Sequence, residues 1–277
     1  MTSPNDFQGA PLGQRPSSFD EWLQAFREQA SFFTGVSFGP WIGTGAGAPR
    51  WPLADVLPVL PFIGAAVGLA AGLVFALVRG LTGPGWLAAV LAVGAAVLIT
   101  RALHEDGLAD TADGLGPHAL EPPRRLEIMR DSRNGTFGVL ALVLSVLIKV
   151  ACLAQFSGAT GLVVLMAAHT LSRAVLAYPL LAYAPVHGDG LGAQAGKPTD
   201  NDVWLTVAIG AALAFLLLLG KGFFVAIIAP AAAIAAAWFA SRWIAQRLGG
   251  YTGDTLGAVQ QKAEIAFLVV AALLLHH

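Results

Sequence analysis

The run VLPVLPFIGAAVGLAAGLVFALV, residues 56–78, decides the fold: it carries no charged side chain, is rich in Leu, Val, Ala and Gly, and shows no alternation of apolar and polar positions. A helix rises 1.5 Å per residue and bilayer hydrocarbon is about 30 Å thick, so about 20 such residues cross it. Lipid offers backbone groups no partners, which leaves helices or closed barrels, and an unbroken apolar run lacks the period of a barrel strand. Further runs of this kind are Trp86–Leu103, Val139–Phe156, Leu162–Ala184, Val203–Leu219 and Phe223–Ala240. Ile265–Leu275 is too short alone, but a helix entering at Leu256 through Gln260, Gln261, Lys262 and Glu264 reaches across. The expected fold is all-α: a polytopic transmembrane helical bundle of about seven spans, occupying residues 53–277.

Composition agrees with a chain surrounded by lipid. Of the 277 residues 56% are hydrophobic and 12% charged, and the mean hydropathy is +0.68. The 16 Lys and Arg against 17 Asp and Glu give a net charge of -1, which excludes nucleic acid held by counterion release. The single cysteine, Cys152, lies in an apolar run and excludes a disulfide framework or a cysteine-rich zinc site. The sequence is compatible with a homo-oligomer.

Residues 1–18 read as a disordered extension, and no basic start precedes an apolar core as in a cleavable signal, so the N-terminus is expected to be kept. Residues 19–52 read as an interfacial amphipathic helix and a loop. Phe19, Trp22, Leu23, Phe26 and Phe33 are spaced along one helical face with Asp20, Glu21, Arg27 and Glu28 between them, which favours lying on the membrane over docking on the bundle.

Cations set the orientation, because short cytoplasmic segments are enriched in Lys and Arg. With seven spans and a cytoplasmic N-terminus, twelve cations fall inside, among them Arg101, Arg124, Arg125, Arg130, Arg133, Arg242 and Arg247, and only Arg79 and Lys221 fall outside. Three polar segments then share the cytoplasmic face as loops, 101–138, 185–202 and 246–264. The expected location is the cytoplasmic (inner) membrane, with the active site facing the cytoplasm.

Seven of the 17 acidic residues lie between Glu105 and Asp131, in HEDGLADTADGLGPHALEPPRRLEIMRDSRNGTFG. Asp106, Asp110 and Asp113 are spaced i, i+4, i+7, so a helix presents all three carboxylates from one face. Like charges so placed repel, and a hard divalent cation reverses the sign of that interaction; Mg²⁺ takes one or two carboxylates and keeps waters and substrate phosphates. Glu127 and Asp131 repeat the i, i+4 spacing among Arg124, Arg125, Arg130 and Arg133, whose guanidinium forks suit phosphate. Acids for metal and arginines for phosphate are the parts of a phosphoryl-transfer site. The alternative is salt bridging on a solvated loop, against which stand Gly107 and Gly114, costly in a purely structural helix.

DGLADTADGLG (106–116) and RRLEIMRDSRNGTFG (124–138), with LSRAVLAYPLLAYAPVHGDGLG (171–192) and GGYTGDTLGAVQQ (249–261) following in the same order, resemble the cobalamin synthase family, the adenosylcobinamide-GDP ribazoletransferases. The resemblance covers roughly residues 19–275; FFTGVSFGPW (32–41) departs from it, standing where a threonine-arginine-proline signature is usual. It implies joining α-ribazole or its 5′-phosphate to adenosylcobinamide-GDP with release of GMP, in a Mg²⁺-dependent step. The D-x-x-D-G and E-x-x-x-D layout at Asp110–Gly114 and Glu127–Asp131 is also similar to the metal motif of CDP-alcohol phosphotransferases. From these resemblances, metal ligation falls to Asp110, Asp113 and Asp131, with Glu127 in the place of an aspartate, and Asp106 is a further ligand or the general base.

The candidate catalytic residues are therefore Asp106, Asp110, Asp113 and Arg130. Asp113→Asn is expected to abolish turnover with the fold intact. Candidate substrate-binding residues are His104, Arg124, Arg125, Arg133, the intramembrane Arg173, His187 and Asp189 on a Gly-rich segment, and Asp254, whose alternative role is helix capping. Lys149, inside a span, is equally compatible with function and with structural pairing. A CDP-alcohol phosphotransferase and a cation or solute transporter are the other readings. A transporter places its ionisable residues near mid-membrane, whereas nearly all acids here are expected at or beyond the ends of spans.

Overall fold

The computed structural model describes residues 15–36, 50–117, 120–186 and 191–275, and among them no strand forms beyond one isolated bridge between Pro185 and Tyr251. In chain order the helices are α1 Phe19–Thr34, α2 Leu60–Thr82, α3 Gly85–Ile99, α4 Leu103–Leu115, α5 Pro122–Met129, α6 Thr136–Leu153, α7 Gly158–Ala174, α8 Ala177–Ala182, α9 Leu191–Gln194, α10 Asp200–Leu219, α11 Phe223–Leu248 and α12 Gly253–Leu275. Two 3₁₀ turns, Leu53–Asp55 and Leu57–Val59, lead into α2.

Six helical stretches are long and apolar enough to cross a membrane: Leu57–Thr82, Thr136–Leu153, Gly158–Ala182, Asp200–Leu219, Phe223–Leu248 and Gly253–Leu275. The chain is thus a multi-pass helical membrane protein. Most spans begin before the apolar run does, because the capping residues are polar. Ser157 accepts from Thr160 N–H at the start of α7, and Thr199 and Asp202 form a reciprocal capping box at the start of α10.

The second expected span, Trp86–Leu103, is corrected in its course: it is not one straight helix. Its helix stops at Ile99, and α4 leaves at 90° to α3. The turn is made by Arg101 and Ala102, both left-handed, with φ of 52° and 56°. Glu105, Asp106, Asp110 and Asp113 follow within 14 residues of Ile99, and the turn packs the helix that carries them against α6 and α12. α3 and α4 therefore form one broken crossing or a re-entrant pair.

Segments read as loops hold structure. Residues 101–138 contain α4 and α5, and between Gln246 and Glu264 only four residues, 249–252, separate α11 from α12. α1 has the expected helical extent but docks on the bundle. Ala25, Gln29, Ala30, Phe33 and Thr34 are buried, Arg101 donates to Gly35 O at 2.7 Å, and Gln29 Nε2 donates to Trp51 O at 3.3 Å. Phe19 at its start remains 81% exposed. Arg15, in the segment read as disordered, pairs with Asp202 at the start of α10.

α2 and α7 make the closest contact in the bundle. Gly64, Gly68 and Gly72 line one face of α2 a turn apart, and a Cβ added at Gly64 or Gly68 meets the carbonyl oxygen of His169 or Leu165 at 2.1 or 2.6 Å. Lipid offers helices no hydrophobic reason to associate, so close backbone approach supplies the van der Waals contact instead. Gly68→Ala is accordingly expected to cost about 1–3 kcal/mol of stability. Gly94→Ala on α3, where an added Cβ meets nothing within 4 Å, is expected to stay within about 0.5 kcal/mol. Thermal unfolding of the two variants in one detergent checks the contrast.

Candidate active site

The first signature forms α4, and its glycines let three other elements close on it. A Cβ at Gly107 meets Asp254 O at 2.4 Å and one at Gly257 meets His104 Cα at 3.1 Å, so α4 and the start of α12 touch backbone to backbone. At the other end, Asp113 accepts the backbone N–H groups of Gly135 at 2.7 Å and Gly138 at 2.8 Å. Gly135 is the N-cap of α6 and has no side chain to cap with; Asp113 performs that function from α4. Added Cβ atoms at Gly135 and Gly138 strike this carboxylate at 2.6 and 2.3 Å, which explains the glycines of DSRNGTFG.

These contacts bring Asp106, Asp110 and Asp254 together. Asp106 is exposed, while Asp110 and Asp254 are half-buried. Asp106, Asp254 and Asp113 all lie within electrostatic reach of Asp110, and Asp106 within reach of Asp254. Among the described residues no Lys, Arg or His forms an ion pair with Asp106, Asp110 or Asp254. From sequence Asp254 reads as a helix cap or as a substrate or metal contact; the fold puts it with the acid cluster.

The remaining expected ligands go elsewhere. Glu127 is exposed and pairs with Arg124 at 2.6 Å. Asp131 pairs with Arg133 at 2.8 Å, and hydrogen bonds from the Arg133 side chain and backbone hold its carboxyl down at about 2. Among the described residues no group of three or more His, Cys, Asp and Glu is already drawn tightly enough to hold a metal ion. Asp106, Asp110 and Asp254 are accessible carboxylates that no cation of the fold engages among the described residues, and a hard divalent ion would need only one or two of them beside water and phosphate. Asp113 has both oxygens engaged, so Asp113→Asn weakens the cap of α6 as well as altering the site. The expectation of an intact fold in that variant is corrected.

The arginines divide likewise. Arg125, 8% exposed, donates to the carbonyls of Leu120, Gly114 and Pro117 at 2.8, 3.0 and 3.3 Å, closing the end of α4 onto α5. It is a structural residue here, with no free fork for phosphate. Arg130 is exposed beside the engaged Arg124 and Arg133. His104 is buried with its ring stacked on Phe33 at 5.9 Å and its Nε2 unpartnered. Arg173 is 1% exposed and its Nη1 lies 3.0 Å from His169 Nδ1. Neither His104 nor Arg173 reaches the surface that the three aspartates share. His187 and Asp189 lie outside the described residues.

Sequence reasoning missed a buried polar network beside the aspartates. Lys149 on α6 pairs with Glu264 on α12 at 2.8 Å and with Glu105 on α4 at 3.6 Å. Gln261 Nε2 donates to Glu105 Oε1 at 2.9 Å, Gln260 Nε2 to Glu264 Oε2 at 2.8 Å and to Ser172 Oγ at 2.9 Å, and Ser145 Oγ to Gln261 Oε1 at 3.3 Å. Glu264 also lies 3.5 Å from His169. Glu105 and Glu264, expected at the ends of spans, are thus inside the bundle. The signals in the sequence were Lys149, and Arg173 with Ser172 and His169, inside otherwise apolar runs.

Fold and site together define a class: a multi-pass helical membrane protein with clustered, unpaired carboxylates where a broken helix meets the start of its last span. Residues 25–272 match the family model described as cobalamin-5-phosphate synthase. A protein of Allorhizobium ampelinum named adenosylcobinamide-GDP ribazoletransferase is 43% identical over 220 residues, 78% of this chain and 84% of that protein. Proteins of the same name from Bradyrhizobium diazoefficiens and Leptothrix cholodnii are 41% and 43% identical over 83% and 85% of this chain, and 88% and 89% of their own length. The chain belongs to the cobalamin-5-phosphate synthase family, and is a transferase of cobalamin biosynthesis. No solved structure matches it.

Proposed function

We propose that this chain joins adenosylcobinamide-GDP to α-ribazole or its 5′-phosphate, releasing GMP, at the cytoplasmic face of the inner membrane, with Mg²⁺ as cofactor and a cytoplasmic N-terminus. The observation that carries the site is the trio Asp106, Asp110 and Asp254, unpaired among the described residues and held together by α4 and α12. The reaction is that named for the relatives. A hydroxyl of the ribazole ribose forms the new bond to the cobinamide-side phosphorus, and the bond from that phosphorus to the oxygen of GMP breaks. Asp110 and Asp254, with Asp106 as a further ligand, would hold Mg²⁺, which when bound would neutralise phosphate charge. Its exposure favours Asp106 over the other two as the group that would take the proton of the attacking hydroxyl. Arg130 offers its fork to a phosphate, and Asp113 keeps the start of α6 against α4.

Orientation rests on the cations that share this end of the bundle. On α11, Arg242 lies over Trp238 at 6.0 Å and Arg247 over Trp243 at 3.9 Å, near the end of the span that leads into α12 and Asp254. Aromatic rings with arginines at a span end are typical of a membrane interface, and the excess of cations supports the cytoplasmic assignment.

The test is turnover of the nanodisc-purified protein with adenosylcobinamide-GDP and α-ribazole 5′-phosphate, with and without Mg²⁺, following GMP and the cobalamin product together. Metal-dependent GMP release matched by product is expected. A folded protein that forms no product under either condition overturns the reading.

A further inference from the structure

Three carboxylates without cationic partners repel one another, so α4 and α12 carry a force that separates them before any cation binds. Something must oppose it. The same two helices are tied together beside the aspartates: Glu105, next to Asp106 on α4, and Glu264, further along α12 than Asp254, share Lys149 of α6, while Gln261 of α12 donates directly to Glu105. Lys149 is 4% exposed and Glu264 3%. The adjoining cavity, lined by Glu105, Lys149, His169 and Glu264 among apolar neighbours, is only about 10 Å³, the size of one water, so no substrate group contacts these residues.

We infer that the Glu105–Lys149–Glu264 triad with Gln261 is a positioning device that holds α4 and α12 in the register at which Asp106, Asp110 and Asp254 receive a divalent cation. This rests on the cation reading of the trio. The charges make the device specific. A cation on α6 draws in one carboxylate from each acid-bearing helix, and Arg173, within electrostatic reach of both Glu105 and Glu264, balances the second negative charge. Removing the shared cation leaves two buried carboxylates that repel across the same two helices as the aspartates. Removing Gln261 deletes the direct α4–α12 bond and leaves the charge balance intact.

Mn²⁺ alone is the probe, titrated into the full-length protein in nanodiscs and read by electron paramagnetic resonance, with circular dichroism to establish folding. Lys149→Met and Gln261→Met are each expected to weaken Mn²⁺ binding roughly tenfold or more, the effect of removing an orienting group behind a ligand. Lys149→Arg is expected to restore affinity to within about threefold of the parent, which loss of packing alone does not predict. Asp110→Asn separates the two levels of the argument. If it binds Mn²⁺ normally, the cation reading fails and the positioning role falls with it. If it abolishes binding while folded Lys149→Met and Gln261→Met bind within about twofold of the parent, the positioning role alone is overturned. Should Lys149→Met not fold, Gln261→Met, which changes no charge, decides.

Discussion

Asp110→Asn is expected to lower cobalamin formation by on the order of a hundred- to a thousand-fold or more with little change in the unfolding temperature, the scale on which preorganised charge stabilisation acts in such transfers. The side chain is half-buried between Asp106, Asp113 and Asp254, and among the described residues no hydrogen bond or ion pair of the fold depends on it. Replacing it with the neutral isostere removes one negative charge from a repelling cluster, so the folded state loses no attraction. What is lost is a ligand for the cation that neutralises phosphate charge. Asp110 is a sharper probe than Asp113, whose oxygens hold Gly135 N–H and Gly138 N–H at 2.7 and 2.8 Å. Initial rates across a Mg²⁺ titration, beside thermal unfolding of the same preparation, make the comparison. Near-normal rates in the variant at saturating Mg²⁺ would sink the assignment of this cluster as the metal site.

Glu264→Leu is expected to destabilise the protein by about 3–5 kcal/mol, because deleting one partner of a buried ion pair leaves an uncompensated charge. The carboxylate is 3% exposed, accepts from Gln260, and is the 2.8 Å partner of Lys149. Without it Lys149 keeps only the 3.6 Å contact to Glu105, and Arg173 loses one of the two carboxylates within its electrostatic reach. The double variant Lys149→Leu, Glu264→Leu removes one charge of each sign and leaves Glu105 with Arg173. It is therefore expected to be more stable than the sum of the two single changes by a coupling of about 1–3 kcal/mol. Unfolding of all four proteins in one detergent gives the cycle directly; strict additivity would show that Lys149 and Glu264 are not coupled.

Much of the fold was legible because crossing lipid is a one-dimensional requirement. Runs such as Val56–Val78 and Phe223–Ala240 become helices whatever surrounds them, and the structure extends them to Leu57–Thr82 and Phe223–Leu248. The errors are of one kind. Helix starts after Ser157 and Thr199 were placed too late because caps are polar, and the 90° break after Ile99 was unseen because the run was carried through Thr100 and Arg101 to Leu103. Segments 101–138 and 246–264 were read as cytoplasmic because they are polar, with a helix entering at Leu256, yet Gln260, Gln261 and Glu264 on that helix are polar toward partners inside the bundle.

The site divides along the same line. The i, i+4, i+7 aspartates of α4 and the family signatures were readable, since helical spacing and motif order lie in the chain itself. Spacing could not show that Asp113 caps a helix beginning 23 residues later, that Arg125 is spent on backbone carbonyls, or that Glu127 and Asp131 are held by neighbouring arginines. By itself, then, the sequence determined a multi-pass helical bundle and the family it belongs to, because hydropathy and local spacing suffice for both. Only the tertiary structure decided which carboxylates share a site. Asp254 reaches Asp106 and Asp110 because Gly107 and Gly257 let α4 and α12 touch backbone to backbone, and a contact across 147 residues of chain leaves no mark on local pattern.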